Sequence, residues 1–211
     1  MLAIPRYTVI SHYICCSLSP CESIERDTPV QDKEMYVVRC NDSFNFEANL
    51  PIHPQVREKI KFWKEKLSLD PEAKPMNVIL IGIDTVSRSH AYRSLPKTLE
   101  YLKETGYHDF QGYHSIAPST LTNFMGFLIG LKRTDVRATC TSSWSSPFDS
   151  CPFIWKNYSA QNYVTMYAED GEQSFNWGGQ SGFNEKPTDY YIHSLFNSME
   201  RIRLGNFKVR L

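Results

Sequence analysis

The chain has 211 residues, enough for one good-sized α/β domain. Lysine plus arginine equal aspartate plus glutamate at 23 each, which removes the basic surplus expected of a nucleic-acid binder. Hydrophobic content of 41% and aromatic content of 13% describe a globular chain, and no apolar run approaches the ~18 residues of a membrane span.

Six cysteines divide into an N-terminal four (Cys15, Cys16, Cys21, Cys40) and a later pair, Cys140 and Cys151. No C-x-x-C occurs and no histidine pair follows at zinc-finger spacing, so disulfides are the expectation, in an extracellular or secretory-lumen setting. Two N-x-S sequons, at Asn41 and Asn157, point the same way and mark both asparagines as glycosylation candidates. Against this, Arg6, Ser11 and His12 interrupt any apolar signal-peptide core at the N-terminus. The expectation is a secreted protein whose natural start lies outside this sequence.

In chain order, residues 1–50 form a cysteine-bearing segment with weak alternation, as in Met35-Tyr36-Val37-Val38-Arg39-Cys40, which predicts short strands. Residues 51–75 form a helix and linker: Val56, Ile60, Trp63 and Leu67 recur at helical spacing after Pro54. Residues 76–211 carry the main α/β pattern. Its first element is the aliphatic run Val78-Ile79-Leu80-Ile81-Gly82-Ile83, read as a strand buried on both faces and ending at Asp84. Pro96 opens a helix to Thr105, with Leu95, Leu99 and Leu102 as its buried stripe and Gly106 as its C-cap. Phe110 to Ile116 alternates as a second strand. Hydroxyls at Ser119 and Thr120 open a helix whose buried face is Leu121, Phe124, Met125, Leu128 and Leu131, with Gly126 and Gly130 allowing close packing. Cys140 and Cys151 bracket a Ser-rich loop that a disulfide would clamp. Tyr163 to Tyr167 is a third strand, ending at Glu169 and Asp170, and Thr188 caps a last helix through Ile202. Strands alternating with helices predict a mainly parallel sheet flanked by helices.

The residues with chemical potential are few. Asp84, at the carboxyl end of a strand, stands where α/β sheets gather ligands, although an acid there is most often a turn former. Thr120 at a helix start would gain from the helix dipole, but its hydroxyl is inert until a base or a cation activates it. Asn123, one turn on, could donate its amide to a developing oxyanion. Thr85 reads as a cap and Arg88 as a surface or phosphate-side cation. His90 could line the same site, His108 and His114 would share a strand face, and Glu169 and Asp170 are turn acids with a supporting role as the alternative.

Four stretches together resemble a metazoan family called domain of unknown function 229, of the alkaline-phosphatase-like, sulfatase-like superfamily. They are Asn77 to Arg88, Ser119 to Leu131, Tyr163 to Asp170, and Pro187-Thr188-Asp189-Tyr190-Tyr191. The resemblance implies a partial alkaline-phosphatase-like core, with Asp84 as a ligand of a divalent metal (usually zinc), Thr120 as nucleophile and metal partner, and Asn123 as a phosphoryl-oxygen donor. It implies hydrolysis of a phosphoester, small-molecule or glycan substrate. Thr120-Leu121-Thr122-Asn123 has Thr122 where related phosphodiesterases have proline, and no C/S-x-P-x-R sulfatase signature is present. Neither Asp-His nor His-Gly occurs, so the superfamily's later metal ligands are missing. The expectation is the N-terminal part of a longer, enzyme-like domain, inactive by itself. The rival reading is a non-catalytic extracellular protein that keeps the fold for binding or structure.

Overall fold

The computed structural model describes residues 50–143, 145–169, 174–176, 179 and 181–192, together with the backbone of four short strands before them. Those strands are β1 (His12–Ile14), β2 (Glu22–Ile24), β3 (Met35–Cys40) and β4 (Ser43–Ala48). β1 pairs antiparallel with β2, and β3 with β4. Cys15, Cys16, Cys21 and Asn41 lie outside the described residues, as do Asp170 and residues 193–211.

Helix α1 (Pro54–Leu69) follows the predicted periodicity, with Pro54 at its first turn and Val56 only 2% exposed. Ile60, Trp63 and Leu67 are half-buried on the same side. Two short helices come next, α2 (Arg88–Ser94) and α3 (Pro96–Glu104), and Leu95, Leu99 and Leu102 are half-buried as their spacing predicts. Gly106, left-handed at φ +76°, closes α3. Helix α4 (Thr120–Phe124) runs straight into a π-helical turn, Met125–Ile129, and two further helices are α5 (Arg133–Thr139) and α6 (Ile154–Ala160). Strands β5 (Met166–Ala168) and β6 (Tyr190–Ile192) pair in parallel, Met166 opposite Tyr190 and Ala168 opposite Ile192. The described residues therefore make a mixed α/β structure with one small parallel pair.

Three expected elements differ. Residues 77–83 form no strand, and Ile79, Leu80 and Ile81 are 78%, 66% and 84% exposed. An aliphatic run becomes a buried strand only where neighbours complete its hydrogen-bond ladder, and no described strand pairs with this one. Phe110 to Ile116 is a succession of turns and bends, with Phe110 78% exposed. Thr188 does not open a helix: its hydroxyl donates to Tyr190 O at 2.7 Å and the chain enters β6.

The core lies between α4, its π-helical continuation, α5, α6 and the loops to either side of β5. Met125, Val136, Phe148, Cys151 and Phe153 are fully enclosed, with Phe175 at 1% exposure. Phe153, Trp155, Tyr167 and Tyr191 stack in sequence, at centroid separations of 4.2, 5.4 and 5.8 Å. Offset stacking adds to what the buried area already contributes. The Cys140–Cys151 disulfide forms, closing the Ser-rich loop as expected. Asp149 in that loop accepts the N–H groups of Asn184 and Glu185 at 3.0 and 2.8 Å, tying it to the approach to β6.

Helix α1 is fastened to the parallel pair by polar contacts. The Lys59 ammonium donates to Ser159 Oγ at 2.8 Å, Tyr163 O at 3.0 Å and Asp189 Oδ2 at 2.7 Å, so its three protons all have acceptors. Asp189 also accepts from the Thr165 N–H at 2.8 Å and the Thr165 hydroxyl at 3.0 Å. The two ionic side chains are 12% and 7% exposed. Burial pushes the Asp189 carboxyl upward, but the Lys59 and Thr165 donors together outweigh it and hold the group below the ordinary aspartate value. Trp63 Nε1 donates to Asn162 O at 2.9 Å and Tyr190 Oη to Pro51 O at 2.8 Å, completing the attachment.

Candidate functional site

Thr120 is the first residue of α4. Ser119, not Thr120, is the N-cap: its hydroxyl accepts the Thr122 N–H at 3.4 Å and lies 2.8 Å from Thr122 Oγ1. That leaves the Thr120 hydroxyl unclaimed by its own helix, and it donates to Asp84 Oδ1 at 3.3 Å, across 36 residues of sequence. The two residues singled out from separate stretches thus meet. Asp84 is exposed and Thr120 half-buried, so the pair faces solvent. A solvated hydrogen bond of this length positions groups and adds at most ~1 kcal/mol of stability.

The turn that delivers Asp84 is strained. Thr85, a β-branched residue, stands at φ +58° in the left-handed region, where such side chains are rare and cost about 1–3 kcal/mol. Ser87 then caps α2 by accepting the His90 N–H at 3.2 Å, so the capping expected of Thr85 falls to Ser87. Arg88 pairs with Asp109 and lies 5.6 Å from the Tyr92 ring centroid, an exposed ion pair and not a free cation beside the site.

Asn123 is committed to local structure. Its amide nitrogen donates to Ala117 O at 2.7 Å and Ser119 O at 2.8 Å, and its oxygen accepts the Ile116 N–H at 2.8 Å. Both amide protons are used in holding the loop before α4 against the helix. Donation to an incoming oxyanion would require one of these bonds to be exchanged.

The histidines do not gather. His90, His108 and His114 are all exposed, and the strand that was to align the last two is absent. Among the described residues no group of three or more His, Cys, Asp or Glu side chains is placed to hold a metal. Glu169, just past β5, accepts the Ser174 N–H at 3.1 Å through Oε1. Among the described residues its Oε2, the Tyr167 hydroxyl and Trp155 Nε1 are buried with no partner at hydrogen-bond geometry. Burial first, and the Glu169 charge second, push the Tyr167 hydroxyl far above its ordinary value, and the same two causes raise Tyr191. Both phenols stay protonated at any physiological pH.

Asn157 is exposed on α6, open to a glycan, while Ser159 of the same sequon receives the Lys59 ammonium. No helix among the described residues is long and apolar enough to cross a membrane.

These features define a mixed α/β protein whose candidate site joins a carboxylate on an exposed turn to a hydroxyl at a helix start. The chain belongs to the family described as Protein of unknown function (DUF229), whose family model matches residues 9–205. No curated protein and no solved structure matches it.

Proposed function

We propose that the chain carries the nucleophile half of a phosphoester-hydrolase site of the alkaline-phosphatase-like kind. Thr120 is the oxygen that meets phosphorus, and Asp84 is the carboxylate that orients it. What supports the reading is the single 3.3 Å hydrogen bond between them, formed by two residues that the family resemblance pairs and local sequence does not. A threonine as the reacting group favours phosphoesters over sulfate esters, because formylglycine chemistry needs a cysteine or serine.

The resemblance also implies a divalent metal, zinc above all. Asp84 and Thr120 offer two oxygens where zinc takes about four ligands, and no larger donor group stands among the described residues. These residues do not by themselves fit a resident metal, and no step is routed through one. Without a metal or a base the Thr120 hydroxyl stays protonated. The pair is therefore read as a half-site that binds a phosphate ester and does not turn it over. Metal analysis of the purified chain, with phosphodiesterase and phosphomonoesterase assays beside Thr120→Ala, tests this. The expected result is no stoichiometric metal and no turnover. Bound zinc with activity abolished in Thr120→Ala would show a complete site and overturn the half-site reading.

A non-catalytic extracellular role has one observation in its favour, the full engagement of the Asn123 amide in loop structure. Phosphate-ester binding weakened by Thr120→Ala would favour the hydrolase-derived site over it. The secretory setting rests on the Cys140–Cys151 disulfide and the exposed Asn157. A mass loss at Asn157 on enzymatic deglycosylation of protein made in animal cells is the expected outcome, and an unmodified Asn157 would count against that setting.

A further inference from the structure

Beside α4 the surface sinks into a groove of about 340 Å³, with Asn123 among its lining residues. We propose that this groove binds the apolar ester group of a phosphoester whose phosphoryl end lies at Thr120; this rests on the reading of Thr120 given above.

The helix itself makes the connection. Residues three apart share a helix face, so Thr120 stands one turn of α4 before Asn123, the first helix residue that lines the groove. The π-helical turn Met125–Ile129 supplies Gly126 and Phe127 to the groove wall, and such turns occur often at functional sites.

The chemistry of the wall selects the ligand. Tyr113, Ile116 and Phe127 border the groove while being 74%, 57% and 43% exposed, so each turns apolar surface toward solvent at one depression. Two glycines line it. Nothing lies within 4 Å of where a Cβ on Gly130 would stand, and a Cβ on Gly126 would come within 2.5 Å of Ile116 Cδ1. Any larger residue at Gly126 forces Ile116 to move. The one charged lining residue is Lys132, a cation, and the Asp84 carboxylate stands outside the wall, at the Thr120 hydroxyl. The volume falls at the small end of the ~300–1,000 Å³ typical of small-molecule sites. The substrate class is thus phosphoesters of apolar alcohols, as distinct from sugar phosphates, whose hydroxyls would have only Tyr113, Asn123 and Lys132 to pair with along an otherwise apolar wall.

Calorimetric titration of the whole chain with 1-naphthyl phosphate, methyl phosphate and 1-naphthylmethanol tests this, using wild type, Tyr113→Ala, Phe127→Ala and Thr120→Ala. Tyr113 and Phe127 are exposed enough for the variants to fold, which circular dichroism checks. The expected result is 1-naphthyl phosphate binding about tenfold or more tightly than methyl phosphate. That advantage should shrink in Tyr113→Ala and Phe127→Ala, while Thr120→Ala weakens both phosphates. Equal binding of the two phosphates, or an advantage unchanged in both groove variants, overturns the groove and leaves the Thr120 reading standing. Binding of 1-naphthylmethanol that Phe127→Ala abolishes, with neither phosphate bound, keeps an apolar groove but overturns both the Thr120 reading and the phosphoester assignment. No binding of any of the three overturns both.

Discussion

Between Met76 and Ile83 the aliphatic side chains stand in water, with Ile79 at 78% and Ile81 at 84% exposure, whereas Met125, Phe148 and Phe153 farther along are wholly enclosed. Hydrophobicity is not what separates the two regions, since the earlier run is the more aliphatic. What differs is the opposing surface. From α4 onward, helices, a disulfide and stacked rings face one another, whereas residues 76–118 carry only α2 and α3, neither with a fully buried residue. Burial follows from having something to bury against.

The sharpest way to break this contrast is to remove matched side chains from both regions. Phe175→Ala should lower stability by about 4 kcal/mol in urea unfolding, because the ring is 1% exposed at the centre of the aromatic cluster. Ile81→Ala should change it by no more than about 0.5 kcal/mol. A large loss at Ile81 would show that the earlier region is packed in solution after all.

A smaller effect, about 3 kcal/mol, is expected when Lys59→Met leaves the buried Asp189 charge without its counter-ion, held only by the Thr165 donors. The pair also fixes a direction with pH. The folded Asp189 value is depressed, so its contribution is complete above the unfolded aspartate value of about 3.9 and is lost as pH falls through the lower folded value. Wild type should therefore lose stability below about pH 4 more steeply than Asp189→Asn does. Equal slopes would remove Lys59–Asp189 from the account of how α1 is held.

The smallest effect belongs to Thr85→Gly, which relieves the left-handed strain at φ +58°. The gain should be at most about 1 kcal/mol. It should appear as slower amide exchange near residues 84–90 and not as a higher global midpoint, if the earlier region opens independently of the core. Faster exchange there would contradict the strain.

Much of this was legible in the residues. The Val56-Ile60-Trp63-Leu67 spacing, Pro96 and Gly106 around α3, and the cysteine pair each carry a local cause that acts wherever the chain goes. The strand read into 77–83 failed because a sequence run states an appetite for burial and says nothing of whether a ladder partner is present. The strand expected at 110–116 lacks a partner for the same reason, and Thr188 looks like a cap because a hydroxyl that bonds two residues ahead has the same sequence signature before a helix or a strand. Lys59 carried a usable signal, three residues after Val56 and four before Trp63, which places it on the buried side of α1. The meeting of Asp84 with Thr120 had no local signal at all. It came from the family resemblance.

The Asp84–Thr120 contact spans the boundary between the two regions, which ties the candidate site to how firmly the two hold together. Thr120 is carried by the packed part, but Asp84 sits on a strained turn in the part with few buried contacts, where local opening is easiest. A ligand that needs both residues binds only the fraction of molecules in which they are together, and its apparent dissociation constant rises in inverse proportion to that fraction. Anything that docks the 76–118 region more firmly would tighten binding without touching the ligand.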